Sequence, residues 1–292
     1  MAEHPSITLK LSGFHAVIAP DRWVDGAYSL VVDGTPQSHV NLDDPGNLFF
    51  EYIQRMGHVI DVFRTPGEPV TAVHLGAGAL TLPRYLETTR PGSRQQVIEL
   101  EQDLVDFVRA ELPWSSKASI RVRYGDAREV VGRLPAGLTG TADLLIIDIF
   151  SGARTPAHVT TIEFYRQALA LLAPDGVVLV NVADGPGLHF ARAQAATLQA
   201  AIGTAPSNSL AILAETQVLK GRRFGNFVLV GSRSELPLDW MPRLLASGPH
   251  PAKVVAGKEL RDFIAGASVT TDETATPSPP PSKGIFQLRG EG

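Results

Sequence analysis

The sequence contains no cysteine among its 292 residues. Disulfide bonds, thiolate metal sites and cysteine nucleophiles are therefore excluded. The chain also lacks a strong charge of either sign, since its formal net charge is −4 and charged residues make up 19% of it. Without clustered positive charge there is no electrostatic basis for binding nucleic acid or an anionic membrane surface, and we expect neither partner.

Long hydrophobic runs are also missing. No apolar run approaches the roughly 20 residues that span a bilayer, and the first ten residues, MAEHPSITLK, lack the apolar segment of a signal peptide. We therefore expect a cytoplasmic protein. The eight histidines form neither an H-x-x-x-H nor an H-E-x-x-H pattern, so no metal site is predicted. Apolar residues make up 44% of the chain, which excludes a disordered protein.

The first part of the chain has the pattern of short β-strands followed by a helix. Strands are predicted over residues 7–11, 15–19, 28–32 and 37–42. The last two flank Asp33-Gly34, a strong turn signal that predicts a hairpin. With a helix predicted over 47–62, we assign residues 1–62 to a small β-rich N-terminal domain and a linking helix.

The pattern then changes to alternating strands and helices. Apolar, β-branched runs occur at residues 70–75, 96–100, 119–122, 143–149, 176–182, 210–216 and 226–231. Strands that are apolar throughout predict a parallel sheet covered on both faces, and the alternation with helices predicts a doubly wound, Rossmann-like α/β fold. We expect one such nucleoside-binding domain over 63–267, followed by a Pro/Thr-rich tail with little order over 268–292.

A glycine-containing loop follows the first strand of this domain. Gly76-Ala77-Gly78 precedes a predicted helix, and glycines there let the backbone approach a ligand where free N–H groups point outward. The dinucleotide pattern needs a third glycine at position 81, which is Thr81, so NAD is disfavoured.

Three acids follow the next three strands. Glu99, Asp126 and Asp148 end the second, third and fourth strands of the domain or come directly after them. Open α/β sheets bind ligands at this carboxyl edge, where an acid can accept both hydroxyls of a ribose. The set predicts a nucleoside site. Without a phosphate-binding motif a nucleoside that lacks pyrophosphate is favoured, and S-adenosylmethionine and its decarboxylated form fit that description.

The order of these motifs resembles that of the spermidine synthase (polyamine aminopropyltransferase) family. The segments that carry the resemblance include LVVDGTPQ at 30–37, LGAGALTLPR at 75–84, IELE at 98–101 and YGDA at 124–127. The resemblance implies a small β-rich domain before a class I methyltransferase-type Rossmann domain, and a possible homodimer.

The resemblance also implies roles for particular residues. Residues implied to bind the adenosyl sulfonium donor are Gln37, Gly76, Gly78, Glu99 and Asp126. Asp148 matches the catalytic aspartate, which would orient the attacking amine and accept a proton from it.

The chain departs from the family pattern at several positions. Ala79 stands where the family has an aspartate that pairs with the amine of the aminopropyl donor, and Ser151 stands where it has a second acid after the fourth strand. Tyr52 or Glu51 could replace the family's N-terminal tyrosine in space. Because a buried ammonium without a partner is costly, the lost acids favour a less cationic acceptor. Ala79 also lifts the repulsion that an aspartate would exert on the carboxylate of S-adenosylmethionine.

These departures favour S-adenosylmethionine-dependent methyl transfer to a small-molecule acceptor. Two alternatives stay open. One is aminopropyl transfer from decarboxylated S-adenosylmethionine to a diamine, as in spermidine synthase, and the other is a nucleoside-binding protein without catalytic activity. The sequence does not identify the acceptor.

Overall fold

The computed structural model describes residues 4–206, 208–239, 241–246 and 251–281. The described chain begins with a four-stranded antiparallel sheet in which the strands follow their sequence order. Its strands are β1 (Ser6–Thr8), β2 (His15–Pro20), β3 (Ala27–Val32) and β4 (Thr35–Asn41). Asp33 and Gly34 join β3 to β4 with φ angles of 49° and 75°. A two-residue hairpin with both residues left-handed matches the twist of its strands, and this confirms the predicted turn.

A larger sheet of eight strands follows the linking helix α1 (Glu51–Val62). The strands are β5 (Thr71–Leu75), β6 (Arg94–Glu99), β7 (Ile120–Tyr124), β8 (Ala142–Ile147), β9 (Leu172–Asp184), β10 (Leu210–Glu215), β11 (Gly225–Ser232) and β12 (Ala252–Ala256). The spatial order is β7-β6-β5-β8-β9-β11-β10-β12, and the first five of these are parallel.

Helices cover both faces of this sheet. They are α2 (Thr81–Thr89), α3 (Gln102–Glu111), α4 (Ala127–Val131), α5 (Ile162–Leu169), α6 (His189–Ile202), α7 (Thr216–Leu219), α8 (Met241–Ala246) and α9 (Gly257–Ile264). The fold is thus α/β and doubly wound, with a class I methyltransferase-type strand order behind a small antiparallel sheet, as the sequence predicts. In the described part of the chain, no helix combines the length and the apolar character needed to cross a membrane.

One side of the large sheet differs from the expected parallel arrangement. Strand β11 lies antiparallel between β9 and β10, and β12 adds a further antiparallel edge. The connection from β10 to β11 comprises only residues 216–224, with the single turn α7 in it. A parallel crossover needs a dozen or more residues, so this short connection imposes an antiparallel pair.

The central strands are apolar throughout because both of their faces are buried. Along β8, Leu145 and Ile147 pack in the cluster under α5 and α6, whereas Leu144 and Ile146 pack on the opposite face with α1 and α2. A third cluster joins the small sheet to the large one, with Leu30 and Val40 packed near Ala79, Val97 and Val105. This last contact fixes the small sheet over the loop that follows β5.

The segment 268–281 packs against the Rossmann-like domain, which differs from the expected tail with little order. Ile162 N donates to Thr270 O at 2.9 Å, and Asp272 forms an ion pair with Arg128. Ser278 is fully buried, and its Oγ accepts from Thr155 N at 2.8 Å. Specific pairing of its polar groups orders the segment, which its composition does not reveal. The rest of the predicted tail, 282–292, lies outside the described residues.

Candidate functional site

The sequence-predicted site residues converge on one cavity at the carboxyl edge of β5, β6, β7 and β8. The small sheet forms its roof. The lining of the cavity includes all six predicted residues, namely Gln37, Gly76, Gly78, Glu99, Asp126 and Asp148. The structure therefore brings together residues that lie more than 100 positions apart in the chain.

Two glycines let the loop after β5 fit between its neighbours. Gly76 has a φ of 96°, and a Cβ atom there would lie 2.1 Å from the backbone oxygen of Asp148. Gly78 has a φ of 49°, and its Cβ would lie 2.3 Å from Ser38 Oγ. The loop thus touches both the strand that carries Asp148 and the small sheet, and a side chain at either glycine would force them apart.

Ala79 lies in the core beside this loop. It is fully buried in the cluster that joins the two sheets, and its N–H donates to Ser38 Oγ at 3.0 Å. A carboxylate at this position would enter an apolar environment unless the loop moved. An Ala79→Asp exchange would therefore disturb the packing of the loop as well as place a charge near the donor.

Glu99 is held rigidly at the end of β6. One carboxylate oxygen accepts from Ala77 N at 2.9 Å, and the other accepts from Glu101 N at 3.0 Å. Enclosure by protein atoms raises the pKa of Glu99, and the hydrogen bonds from these N–H groups oppose that rise. The loop after β5 and the end of β6 are joined through this one side chain.

Asp126 caps helix α4 and also contacts a histidine. Its Oδ1 accepts from Arg128 N at 3.0 Å and from Glu129 N at 3.2 Å, the arrangement of an N-cap residue. Its Oδ2 pairs with His158 Nε2 at 2.6 Å. His158 also lines the cavity, and sequence reasoning missed it because it comes from the loop between β8 and α5.

Asp148 lies at the end of β8 between two hydrogen-bond donors. Asn181 Nδ2 donates to its Oδ1 at 2.8 Å, and the Tyr52 hydroxyl donates to its Oδ2 at 3.3 Å. Desolvation raises the pKa of Asp148, and the two hydrogen bonds oppose that rise. The pKa of Tyr52 is raised well above its usual value by enclosure and by the Asp148 charge. Tyr52 therefore stays protonated and serves as a donor.

A second asparagine fixes the orientation of the first. Asn226 Nδ2 on β11 donates to Asn181 Oδ1 on β9 at 2.9 Å, which leaves the Asn181 amino group to face Asp148. Sequence reasoning missed both asparagines. Asn226 lies in the segment FGNF at 224–227, but its role depends on the antiparallel pairing of β9 and β11.

Gln37 ties the roof of the cavity to the loop after β8. Its Nε2 donates to Gly152 O at 2.7 Å. Gln37, Phe50, Tyr52, Phe150 and Gly152 border this cavity and also a second pocket next to it. The cavity and the second pocket therefore meet beside Asp148.

The second pocket combines aromatic rings with two ion pairs. Its aromatic lining includes Phe50, Phe150 and Phe224. Arg55 Nη2 lies 2.7 Å from Glu51 Oε2, and Arg223 Nε donates to Glu215 Oε2 at 2.6 Å. Tyr52 and Asn181, the two donors to Asp148, also line this pocket. A molecule bound in it would lie next to the Asp148 carboxylate.

Comparisons with known proteins agree with the architecture of the chain. No family model matches the chain. It is 29% identical over 135 residues to a polyamine aminopropyltransferase of Vibrio vulnificus (strain CMCP6), which is 46% of this chain and 44% of that protein. It is 26% identical over 186 residues to a polyamine aminopropyltransferase of Neisseria meningitidis (strain Z2491), covering 62% of this chain and 67% of the relative. The match to the Vibrio protein thus spans less than half of that relative's length.

A solved structure is similar over a longer stretch. The crystal structure of a probable spermidine synthase from Corynebacterium glutamicum superposes with a TM-score of 0.82 and 27% identity. The superposition covers 93% of this chain and 97% of that one. The likeness therefore includes the small sheet as well as the Rossmann-like domain.

Proposed function

We propose that this spermidine-synthase-like chain is a transferase that binds an adenosyl sulfonium donor and transfers one of the alkyl groups on the donor's sulfur to an amine. The sequence similarity to polyamine aminopropyltransferases and the structural similarity to a probable spermidine synthase support this class of reaction. The finer proposal is aminopropyl transfer from decarboxylated S-adenosylmethionine.

One observation carries the proposal. The carboxylate of Asp148 lies where the cavity and the second pocket meet, held by Tyr52 and Asn181. An amine in the second pocket would then present its lone pair toward the cavity while it gives up a proton to Asp148. A base held in place by two donors needs no rearrangement as the reaction proceeds.

The reaction balances as a single displacement. The amine nitrogen forms a bond to the aminopropyl carbon next to the sulfonium, and the C–S bond breaks with its electron pair going to sulfur. The leaving group is methylthioadenosine. Asp148 accepts the proton released by the new ammonium and later returns it to solvent. Such a displacement depends mainly on holding the two reactants in line.

The donor would occupy the cavity. In this proposal Glu99 accepts hydrogen bonds from the ribose hydroxyls, because its oxygens are already fixed by backbone N–H groups. Asp126 and His158 lie side by side at the far end, where the adenine would bind. Gly76 and Gly78 let the backbone approach the donor, and Gln37 closes the roof over it.

Methyl transfer from S-adenosylmethionine is the second candidate. The observation that favours it is the methyl side chain of Ala79, buried at the position where the family has an acid for the donor's amine. The sequence alone favours this reading. We rank it second because the similar proteins named above are aminopropyltransferases or a probable spermidine synthase.

Product analysis separates these reactions. The protein is incubated with an amine mixture and either donor, and the nucleoside product is identified by mass spectrometry. We expect methylthioadenosine from the decarboxylated donor, and a decrease of at least about 100-fold in its formation with Asp148→Asn. Asp175→Asn, at a surface ion pair with Arg64, is the matched control and should leave the rate unchanged.

Other products would overturn the proposal in different ways. Formation of S-adenosylhomocysteine from the ordinary donor, without methylthioadenosine from the other, would establish methyl transfer. If calorimetry detects binding of neither donor and Glu99→Ala changes nothing, the nucleoside site itself is refuted.

A further inference from the structure

We infer that the acceptor is an amine with a single cationic group and an apolar or aromatic remainder, and that Arg55 and Arg223 exclude diamines. This inference deepens the proposed function and rests on it. The relevant site is the second pocket, where the acceptor would bind beside Asp148.

The carboxylates of the second pocket are already paired with arginines. Glu51 and Arg55 lie one turn apart on α1, with the Arg55 side chain 7% exposed. Glu215 ends β10 with its side chain 5% exposed, and Arg223 reaches it from the connection between α7 and β11. Among the described residues that line this pocket, each carboxylate has a guanidinium partner, so the charges of these four side chains sum to zero.

A diamine would bring a second ammonium group next to these four charged side chains. The first amine of the diamine, the nucleophile, would lie next to Asp148. The second would have to displace a guanidinium from Glu51 or Glu215, or remain without a partner in a partly buried space. Either choice is unfavourable, because it leaves a charged group without its partner in a partly buried space.

The rest of the pocket suits an apolar chain. The rings of Phe50 and Tyr52 are nearly parallel, with an interplanar angle of 13° and centroids 6.2 Å apart. Phe150 and Phe224 add two further rings to the lining. An alkyl or aromatic remainder would bury apolar surface against these rings, which is favourable without any further charge.

The arginine–carboxylate pairs of the second pocket would then decide which amine binds. Arg223 is the better one to change, because its side chain is 49% exposed and its loss need not disturb the core. Arg223→Gln would leave Glu215 free to accept an ammonium. Glu215→Gln would have the opposite effect, because it leaves a guanidinium without its carboxylate in the pocket.

The test compares a diamine with two monoamines, of which n-butylamine has the same four-carbon chain as putrescine. Rates of methylthioadenosine formation from decarboxylated S-adenosylmethionine are measured with putrescine, with n-butylamine and with phenethylamine. We expect kcat/KM for the monoamines to exceed that for putrescine by at least tenfold. Arg223→Gln should shift the ratio toward putrescine by at least tenfold, and Glu215→Gln should shift it further toward the monoamines. Arg222→Gln, which loses a hydrogen bond to Gln217 on the surface, is the matched control and should leave the ratio unchanged.

The outcomes distinguish this inference from the proposed function. A tenfold preference of the wild type for putrescine, or an unchanged ratio in both folded variants, overturns the inference alone. Absence of methylthioadenosine with every amine overturns the proposed aminopropyl transfer and the inference with it.

Discussion

The hydroxyl of Tyr52 should set the pH at which the protein becomes active. It donates to Asp148 Oδ2 at 3.3 Å, and it lowers the pKa of a carboxyl that desolvation raises. In the proposed reaction, Asp148 must be ionised to accept the proton of the attacking amine. The Tyr52→Phe exchange removes the hydroxyl and keeps the ring, so the pKa of Asp148 should rise and the acidic limb of the rate profile should move to higher pH.

The size of this effect follows from the geometry. A hydrogen bond to a charged group contributes about 1.5–3 kcal/mol, and the Tyr52 bond is longer than the usual 2.7–2.8 Å of an O–H donor. The lower end, about 1.5 kcal/mol, corresponds to about one pKa unit. On the acidic side of the limb kcat/KM should therefore fall about tenfold, and the deficit should shrink as the pH rises.

The assay is the pH dependence of kcat/KM for the variant beside the wild type. Tyr165→Phe is a matched control, since its buried hydroxyl donates to Gln194 Oε1 at 2.7 Å, distant from the cavity. The control should lose stability but keep the position of the limb. If Tyr52→Phe leaves the limb in place or moves it to lower pH, the role given to Tyr52 is refuted.

Three further exchanges test the surroundings of the site. Because desolvation raises the folded-state pKa of Asp148, the ionised carboxyl reduces stability above that pKa. Asp148→Asn should therefore raise the Tm at about pH 8 while lowering turnover at least about 100-fold. The gain in Tm should vanish in acid below the ordinary aspartate pKa, and an unchanged Tm in calorimetric scans would contradict this. Gly76→Ala places a Cβ 2.1 Å from Asp148 O and should weaken donor binding at least tenfold by calorimetry, whereas Gly67→Ala, also at positive φ but facing open space, should not alter it. Ser278→Ala removes the acceptor of Thr155 N, so it should lower Tm by about 2–4 °C. It should also raise KM for the donor, because the loop that follows Thr155 lines the cavity. Ser234→Ala, at an exposed hydrogen bond, should have neither effect.

Local pattern was sufficient to predict most of the fold. The seven predicted strands of the Rossmann-like domain correspond to β5 through β11, because most of these strands, parallel or antiparallel, are buried on both faces and therefore largely apolar. Strand β12 was missed, since Ala252–Ala256 is a short edge strand whose only signature is its pairing with β10. The order of segment 268–281 was missed for a related reason. Its buried Ser278 is stabilised by Thr155, a contact between residues far apart in the chain.

The placement of the candidate site residues was predictable where a topological rule applied. The carboxyl ends of parallel strands meet at one edge, so Glu99, Asp126 and Asp148 could be brought together from strand positions alone. The choice between Tyr52 and Glu51 could not be made in this way, because they are adjacent on α1. In the structure Tyr52 donates a hydrogen bond to Asp148, whereas Glu51 forms an ion pair with Arg55.

Residues that act through long-range pairs left no signal in the sequence. Asn181 and Asn226 belong to different strands, and the hydrogen bond between their side chains forms because β11 runs antiparallel to β9. Arg223 neutralises Glu215 across the short connection between β10 and β11. The same connection that forces the antiparallel strand therefore also sets the charge of the second pocket.

The position of Asp148 suits a displacement in which nucleophile and leaving group lie on opposite sides of the transferred carbon. The cavity and the second pocket share Gln37, Phe50, Tyr52, Phe150 and Gly152, and of these the first three come from the N-terminal part of the chain. Donor and acceptor would thus meet where the small sheet and α1 cover the end of β8. Since Tyr52 and Gln37 each bond to this end of the larger sheet, at Asp148 and Gly152, the N-terminal part completes the site as well as covering it. A Rossmann-like domain without it would keep Glu99 and Asp126 but lose both the roof of the cavity and one of the two hydrogen-bond donors to Asp148.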